Sequence, residues 1–210
     1  MYLESVCLLN IKKNKAIIGG VEFDLMKGGR GMEERKLIVV FPGRNYSVDM
    51  PLLYYANFKY EVRGYESIKV DYSRAYKEGQ TFDEYMERAK KMVWDELSRV
   101  DFSLYRDVVF VSKSMGTVIA GWLEEQLGMK VRHIYLTPLK ETLPYMTQKQ
   151  EIIHVLAGTR DKFLDAAVLR EHCEKEMIRL EQIEGVGHSL EMWGSMESNI
   201  DILKRVVELY

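Results

Sequence analysis

VSKSMGTV, residues 111–118, sets two serines one residue apart, with a glycine two places after the second. The run that leads into it, DVVFV (107–111), is β-branched and aromatic, and the stretch that follows is apolar at helical spacing to about residue 127. The chain must therefore turn from strand to helix here. Tight turns of this kind bring two backbone segments together, so the positions two before and two after the apex must be small. Ser112 and Gly116 meet that demand around Ser114. With Ser112 at the apex, one flank would be Phe110, which is too bulky. The apex is Ser114. A hydroxyl there is held over the sheet beside a helix N-terminus, whose unpaired N–H groups favour negative charge. A serine just before a helix also serves as an ordinary cap, and the octapeptide alone leaves both uses open.

Working outward, strand and helix signals alternate. LIVVF (37–41) is apolar at every position, as in a strand covered on both faces. Residues 49–60 suit a short helix, and YESIKVDYS (65–73) a strand. Residues 81–100 form the clearest helix. Thr81 and Glu84 make a capping box there, and Phe82, Tyr85, Met86, Ala89, Val93 and Leu97 share one face. RHIYL (132–136), EIIHVLAG (151–158) and MIRLEQIEG (177–185) read as strands. Residues 165–175 and 195–209 read as helices. Before all of these, ESVCLLNI (4–11) and KAIIGGVEFDLM (15–26) flank the polar KKNK and suit a hairpin. The expected fold class is α/β: a three-layer sandwich with a mostly parallel sheet, an antiparallel N-terminal hairpin and helices on both faces. With no repeat or linker composition, residues 1–210 read as one domain. In such sheets ligands bind beyond the carboxyl ends of the strands.

Composition narrows the function. A net charge of −2 with both signs interspersed offers nothing to a phosphate backbone, so nucleic acid is not an expected partner. Two cysteines, Cys7 and Cys173, are too few for a disulfide framework and too isolated for a zinc cluster. No stretch approaches the roughly 20 apolar residues that span a bilayer, and MYLESVCLLN lacks the marks of a signal peptide. The expectation is a soluble, cytoplasmic protein with a small-molecule substrate, no cofactor and no metal. Oligomeric state is not legible.

A serine becomes a nucleophile only when a base takes its proton and a third group orients that base. Of four histidines, His133 starts a strand at the wrong end of the sheet, and His154 lies inside an apolar strand. His172 sits on the charged helix REHCEK, where it should be solvated. His188 alone follows a strand in a small-residue loop, GVGHS (185–189). The orienting acid should also follow a strand, and AGTRD (157–161) places Asp161 there. Asp165 stands where a helix N-cap is expected, and Asp71 reads as structural. An oxyanion needs preorganised N–H donors. Met115 supplies one. The other belongs to PGRNYS (42–47), where Pro42 cannot donate, leaving Arg44 or Asn45. Lys113 beside both serines would suggest a Ser–Lys dyad, but adjacent side chains on a tight turn diverge.

Together LIVVFPGRN, VSKSMGT, AGTRD and GVGHS resemble the α/β-hydrolase family, in particular its small dienelactone-hydrolase-like and esterase-like members with a minimal lid. The order Ser114, Asp161, His188 matches that family's order of nucleophile, acid and base. The resemblance implies Ser114 as nucleophile, His188 as base and then acid, Asp161 as its orienter, and the Met115 and Arg44 N–H groups as the oxyanion hole. It departs at Ser112, where the family has glycine, and at FPGRN, where many members have histidine–glycine. Large lids in this family often fall where this chain has only residues 137–150, room for a short flap over an open site. The implied activity is a serine hydrolase acting on carboxylic esters or thioesters. A non-catalytic binding protein of the same fold is the alternative, as is an amidase or acyltransferase using the same residues.

Overall fold

The computed structural model describes residues 15–18, 21–24 and 34–210. Strands β1 (Lys15–Ile18) and β2 (Val21–Asp24) pair antiparallel as a two-stranded sheet, within a unit, Met1–Glu34, that groups apart from Arg35–Tyr210. KAIIGGVEFDLM, expected as one strand, thus holds two paired strands, and the pairing expected across KKNK falls outside the described residues. Residues 4–11 lie outside the described residues.

In Arg35–Tyr210 six strands form one parallel sheet: β3 (Arg35–Phe41), β4 (Glu66–Lys69), β5 (Tyr105–Lys113), β6 (Arg132–Leu136), β7 (Glu151–Gly158) and β8 (Leu180–Ile183). Their spatial order is β4-β3-β5-β6-β7-β8. The chain moves outward from β3 to β4, then returns to place β5 on the other side of β3. The direction of winding therefore reverses between β3 and β5, and the loops beyond their carboxyl ends part to leave a crevice.

Five helices cover the sheet: α1 (Pro51–Val62), α2 (Phe82–Leu97), α3 (Met115–Leu127), α4 (Ala166–Lys175) and α5 (Met196–Glu208). The all-apolar β3 run divides by parity. Leu37, Val39 and Phe41 pack with α2, α3 and α4, whereas Ile38 and Val40 pack with α1 and α5. Each such side chain, removed from water, contributes about 1.5–3 kcal/mol. That is why β3 and β5 lie inside the sheet, each flanked by strands on both sides, while the shorter, partly exposed β4 lies at its edge. α2 opens on the expected capping box: Thr81 Oγ1 accepts from Glu84 N at 3.2 Å, and Glu84 Oε2 accepts from Thr81 N at 2.8 Å. α1 begins with Pro51, whose missing N–H would have been unpaired at that position.

Between β6 and β7, residues 137–150 form no α-helix, only a short 3-10 turn at Lys140–Thr142. Leu139, Thr142 and Met146 are buried, and Tyr145 packs on α3 at Gly121, where a Cβ would come within 2.6 Å of the tyrosine's own. Residues 139–141 face the crevice; those that follow pack down along α3.

Candidate functional site

Ser114 occupies the step from β5 into α3 with φ 53° and ψ −122°. A non-glycine residue in that region carries about 1–3 kcal/mol of strain, sustained only where its surroundings over-determine it. Here they do. Ser114 N donates to Leu136 O at 3.0 Å, Thr117 Oγ1 donates to Ser114 O at 2.6 Å, and Gly116 abuts β3 so closely that a Cβ would lie 2.5 Å from Pro42 O. Ser112 is fully buried, and its hydroxyl donates weakly to Ile134 O at 3.4 Å. Its extra bulk is turned toward β6. Although Ser114 holds the N-cap position of α3, its side chain makes no capping bond. Of the two uses the sequence left open, the cap is not the one adopted.

The hydroxyl instead donates to His188 Nε2 at 2.8 Å, and His188 Nδ1 donates to Asp161 Oδ2 at 2.7 Å. An ionised carboxylate can only accept, which places the imidazole proton on Nδ1 and leaves Nε2 free to accept. The Asp161 side chain is 2% exposed and that of His188 21%. The carboxylate is fixed by a second bond, Phe163 N to its Oδ1 at 2.9 Å, and the Phe163 ring lies 4.4 Å from the imidazole. The loops after β7 and β8 are tied together by Arg160 N to Val186 O at 2.8 Å and Gly185 N to Thr159 Oγ1 at 2.9 Å. Gly158 is what lets them approach: a Cβ there would sit 2.0 Å from Val186 O.

The residues expected to supply the two donors of an anion pocket, Met115 and Arg44, line the same cleft as Ser114. Met115 is the first residue of α3, so its N–H has no partner within the helix. Across from it Gly43 and Tyr46 close a tight turn, Gly43 N to Tyr46 O at 2.9 Å, with Arg44 and Asn45 at its tip. Among the described residues, neither Arg44 nor Asn45 N–H enters a backbone hydrogen bond. The turn presses on the elbow, with Gly43's Cβ position 3.3 Å from Ser114 Cβ, and Tyr72 OH fastens it by donating to Pro42 O.

Lys113 is the residue whose place the sequence reading did not foresee. Its side chain does diverge from Ser114, but it runs inward, 2% exposed, to donate to His188 O at 2.7 Å and Thr137 Oγ1 at 2.8 Å. It lies 4.9 Å from the Tyr46 ring. Burial pushes its ammonium down to about 8, against the pull of the Asp161 and Glu191 carboxylates. An ammonium on a buried floor ties the histidine's loop to the elbow. The only trace of this in the sequence is a lysine inside an otherwise apolar strand end.

The other candidates fall elsewhere. Asp165 caps α4, accepting from Ala167 N at 2.8 Å and Val168 N at 3.2 Å, and Asp71 accepts from Ser73 N at 2.8 Å. His133 and His154 are buried in their strands. His172, expected in solvent, donates instead to Met146 O at 2.7 Å and pins residues 137–150 to α4. A cleft of about 690 Å³ opens over Ser114 and His188, walled by Phe82, Met115, Leu139 and Phe163. Among the described residues no group of three or more His, Cys, Asp or Glu is placed to hold a metal ion, and no helix is long and apolar enough to cross a membrane.

No family model matches the sequence, and no curated protein matches it. Solved structures do. A putative hydrolase of the alpha/beta superfamily from Xanthomonas campestris pv. campestris is similar at 15% identity, with a TM-score of 0.59, over 83% of this chain and 98% of its own. A predicted CIB-like hydrolase from Thermoplasma acidophilum is 20% identical, with a TM-score of 0.57, over 92% and 88%. Est1E from Butyrivibrio proteoclasticus is 12% identical, with a TM-score of 0.58, over 84% and 87%. The chain has the α/β-hydrolase fold.

Proposed function

We infer that this chain of α/β-hydrolase fold is a serine hydrolase that cleaves carboxylic esters or thioesters through an acyl-serine intermediate. The observation that carries the reading is one continuous relay, Ser114 Oγ to His188 Nε2 at 2.8 Å and His188 Nδ1 to Asp161 at 2.7 Å, set at a strained elbow whose hydroxyl caps nothing. As Ser114 Oγ attacks the substrate carbonyl carbon, His188 Nε2 takes its proton. The imidazolium so formed is stabilised by the buried Asp161 carboxylate. Negative charge moves to the carbonyl oxygen, where the Met115 and Arg44 N–H groups receive it; such donors commonly lower the barrier by about 3–4 kcal/mol each. His188 then gives its proton to the departing alcohol or thiol as the bond to it breaks, leaving acyl-Ser114. Water enters, His188 takes one of its protons, and the second tetrahedral intermediate collapses to free acid and a reprotonated serine.

A fluorophosphonate probe tests the nucleophile. It should label the wild type and fail on Ser114→Ala, and equal labelling of both removes the reading. A series of p-nitrophenyl esters of increasing acyl length, beside acyl-CoA thioesters, then separates ester from thioester preference. A folded protein that neither takes the probe nor turns over any activated ester is a non-catalytic module of the same fold.

A further inference from the structure

The cleft over Ser114 has apolar walls and a rim of one sign. Arg44, at the tip of the turn after β3, Lys140, after β6, and Lys162, after β7, each reach it from a different loop. Lys113 lies in its floor. Among the described residues the one carboxylate lining the cleft against these four cations is Glu141, 3.8 Å from Lys140 Nζ and so engaged with one of them. Among the described residues no carboxylate lies within ion-pair distance of Arg44 or Lys162. Asp161 lies behind His188, engaged with its Nδ1, and Asp71 and Glu191 line neighbouring grooves. The Arg44 guanidinium is held in place without being neutralised, 5.1 Å from the Tyr76 ring and 5.9 Å from Tyr85. A planar fork stacked on rings keeps its donors for an oxyanion. In a chain of net charge −2 this is a local inversion of sign, placed where low-dielectric walls focus it.

We propose that the substrate is an ester or thioester carrying a second, anionic group, a carboxylate or phosphate, which the rim of Arg44, Lys140 and Lys162 receives while the apolar walls take the rest. This rests on the serine hydrolase reading above. The anion enters along the field of three loops and orients the carbonyl over Ser114, so both encounter and positioning gain from it.

Two matched ester pairs test it. One differs by a terminal carboxylate on the acyl chain, the mono-4-nitrophenyl ester of adipic acid against 4-nitrophenyl hexanoate. The other carries the charge on the leaving group, 4-hexanoyloxybenzoate against its methyl ester. In at least one pair the wild type should favour the anionic member in kcat/KM by about tenfold at low salt, and the preference should shrink at high salt. Lys140→Glu with Lys162→Glu, both at exposed positions, should reverse the ratio. A ratio near one in both pairs, or a preference the double variant leaves untouched, overturns the substrate class while turnover of the neutral esters leaves the hydrolase reading standing. If no ester is turned over and Ser114 takes no fluorophosphonate, both fall together.

Discussion

Among the described residues two histidine–carboxylate pairs form, and only one of them ends on a hydroxyl. At the carboxyl end of the sheet His188 meets Asp161 at 2.7 Å; toward the other end His133, at the start of β6, meets Glu124 Oε2 at 3.1 Å. What separates them is the second ring nitrogen. His188 Nε2 faces a hydroxyl and a cleft. His133 is 0% exposed, stacked on Tyr135 at 4.8 Å and edge-on to Phe110, and its Nδ1 meets no partner. Glu124 is occupied further by Val131 N at 3.2 Å and by Gln150 Nε2. A carboxylate beside an imidazole is therefore common to a support and a site. The difference lies in whether the pair ends on a reactive group.

Removing each histidine breaks the comparison most sharply. His188→Asn should lower kcat by roughly 10⁴–10⁶-fold, since triad members act as a unit, and should leave the thermal midpoint almost in place. His133→Phe should do the reverse. It takes one donor from the buried Glu124 carboxylate, which keeps Val131 N and Gln150 Nε2, a change that costs about 1.5–3 kcal/mol, while kcat per folded molecule stays at the wild-type value. Steady-state kinetics beside urea denaturation reads both. Loss of stability without loss of rate at position 188 would reverse the assignment of the two pairs.

Acid titration sharpens the same contrast. Burial lowers the His133 pKa, because a second N–H on that ring would be a buried donor without an acceptor. In the unfolded chain the imidazole keeps a pKa of about 6.5. As pH falls through that value the unfolded state binds a proton the folded state refuses, so folding stability must decline. Replacing Glu124 and His133 together, by Leu and Phe, should remove that part of the decline and recover much of the stability lost in the single variant. Urea midpoints at neutral and mildly acid pH measure it; an unchanged slope in the double variant would assign the acid sensitivity elsewhere.

How far the sequence carried this reading depends on the range of the forces involved. β6, β7 and α3 stand where local pattern put them, because all-apolar runs and a strand-to-helix step are short-range signals. Ser114, Asp161 and His188 could be picked out because strand ends are positions that topology brings together, whatever the distance along the chain. KAIIGGVEFDLM reads as one strand because its apolar run continues through the Gly-Gly pair, and only the pairing of residues 15–18 with 21–24 divides it in two. Lys113 and His172 escaped for a different reason. Local pattern gives neither one a partner, and only tertiary contacts, His188 O for one and Met146 O for the other, hold it in place.

Gly158 offers a smaller break of the same comparison, acting on the geometry of one pair without touching its chemistry. A methyl at that position would meet Val186 O at 2.0 Å, so Gly158→Ala must push the loop after β8 away from β7. His188 and Asp161 ride on those two loops. A displacement on the order of 1 Å at reacting groups commonly costs about 10²-fold in rate. The loss should appear in kcat more than in KM, and the Glu124–His133 pair, anchored on other elements, should keep its acid response. A variant with normal kcat would mean that the two loops move together.

The smallest contrast sets two aspartates four residues apart. Asp161 and Asp165 both accept backbone N–H groups just past β7. Asp161 spends one oxygen on Phe163 N and presents the other to His188; Asp165 accepts only from Ala167 N and Val168 N at the first turn of α4. Asp165→Ala should therefore cost about 1 kcal/mol, the usual worth of a helix cap, with no change in kcat, pH profile or fluorophosphonate labelling. α4 buries Leu169 and Cys173 against the core, and that packing holds the helix when its cap is gone. If Asp165→Ala instead slowed labelling, the carboxylate that orients His188 would have to be shared between the two aspartates, and the relay would be a looser object than the single 2.7 Å contact describes.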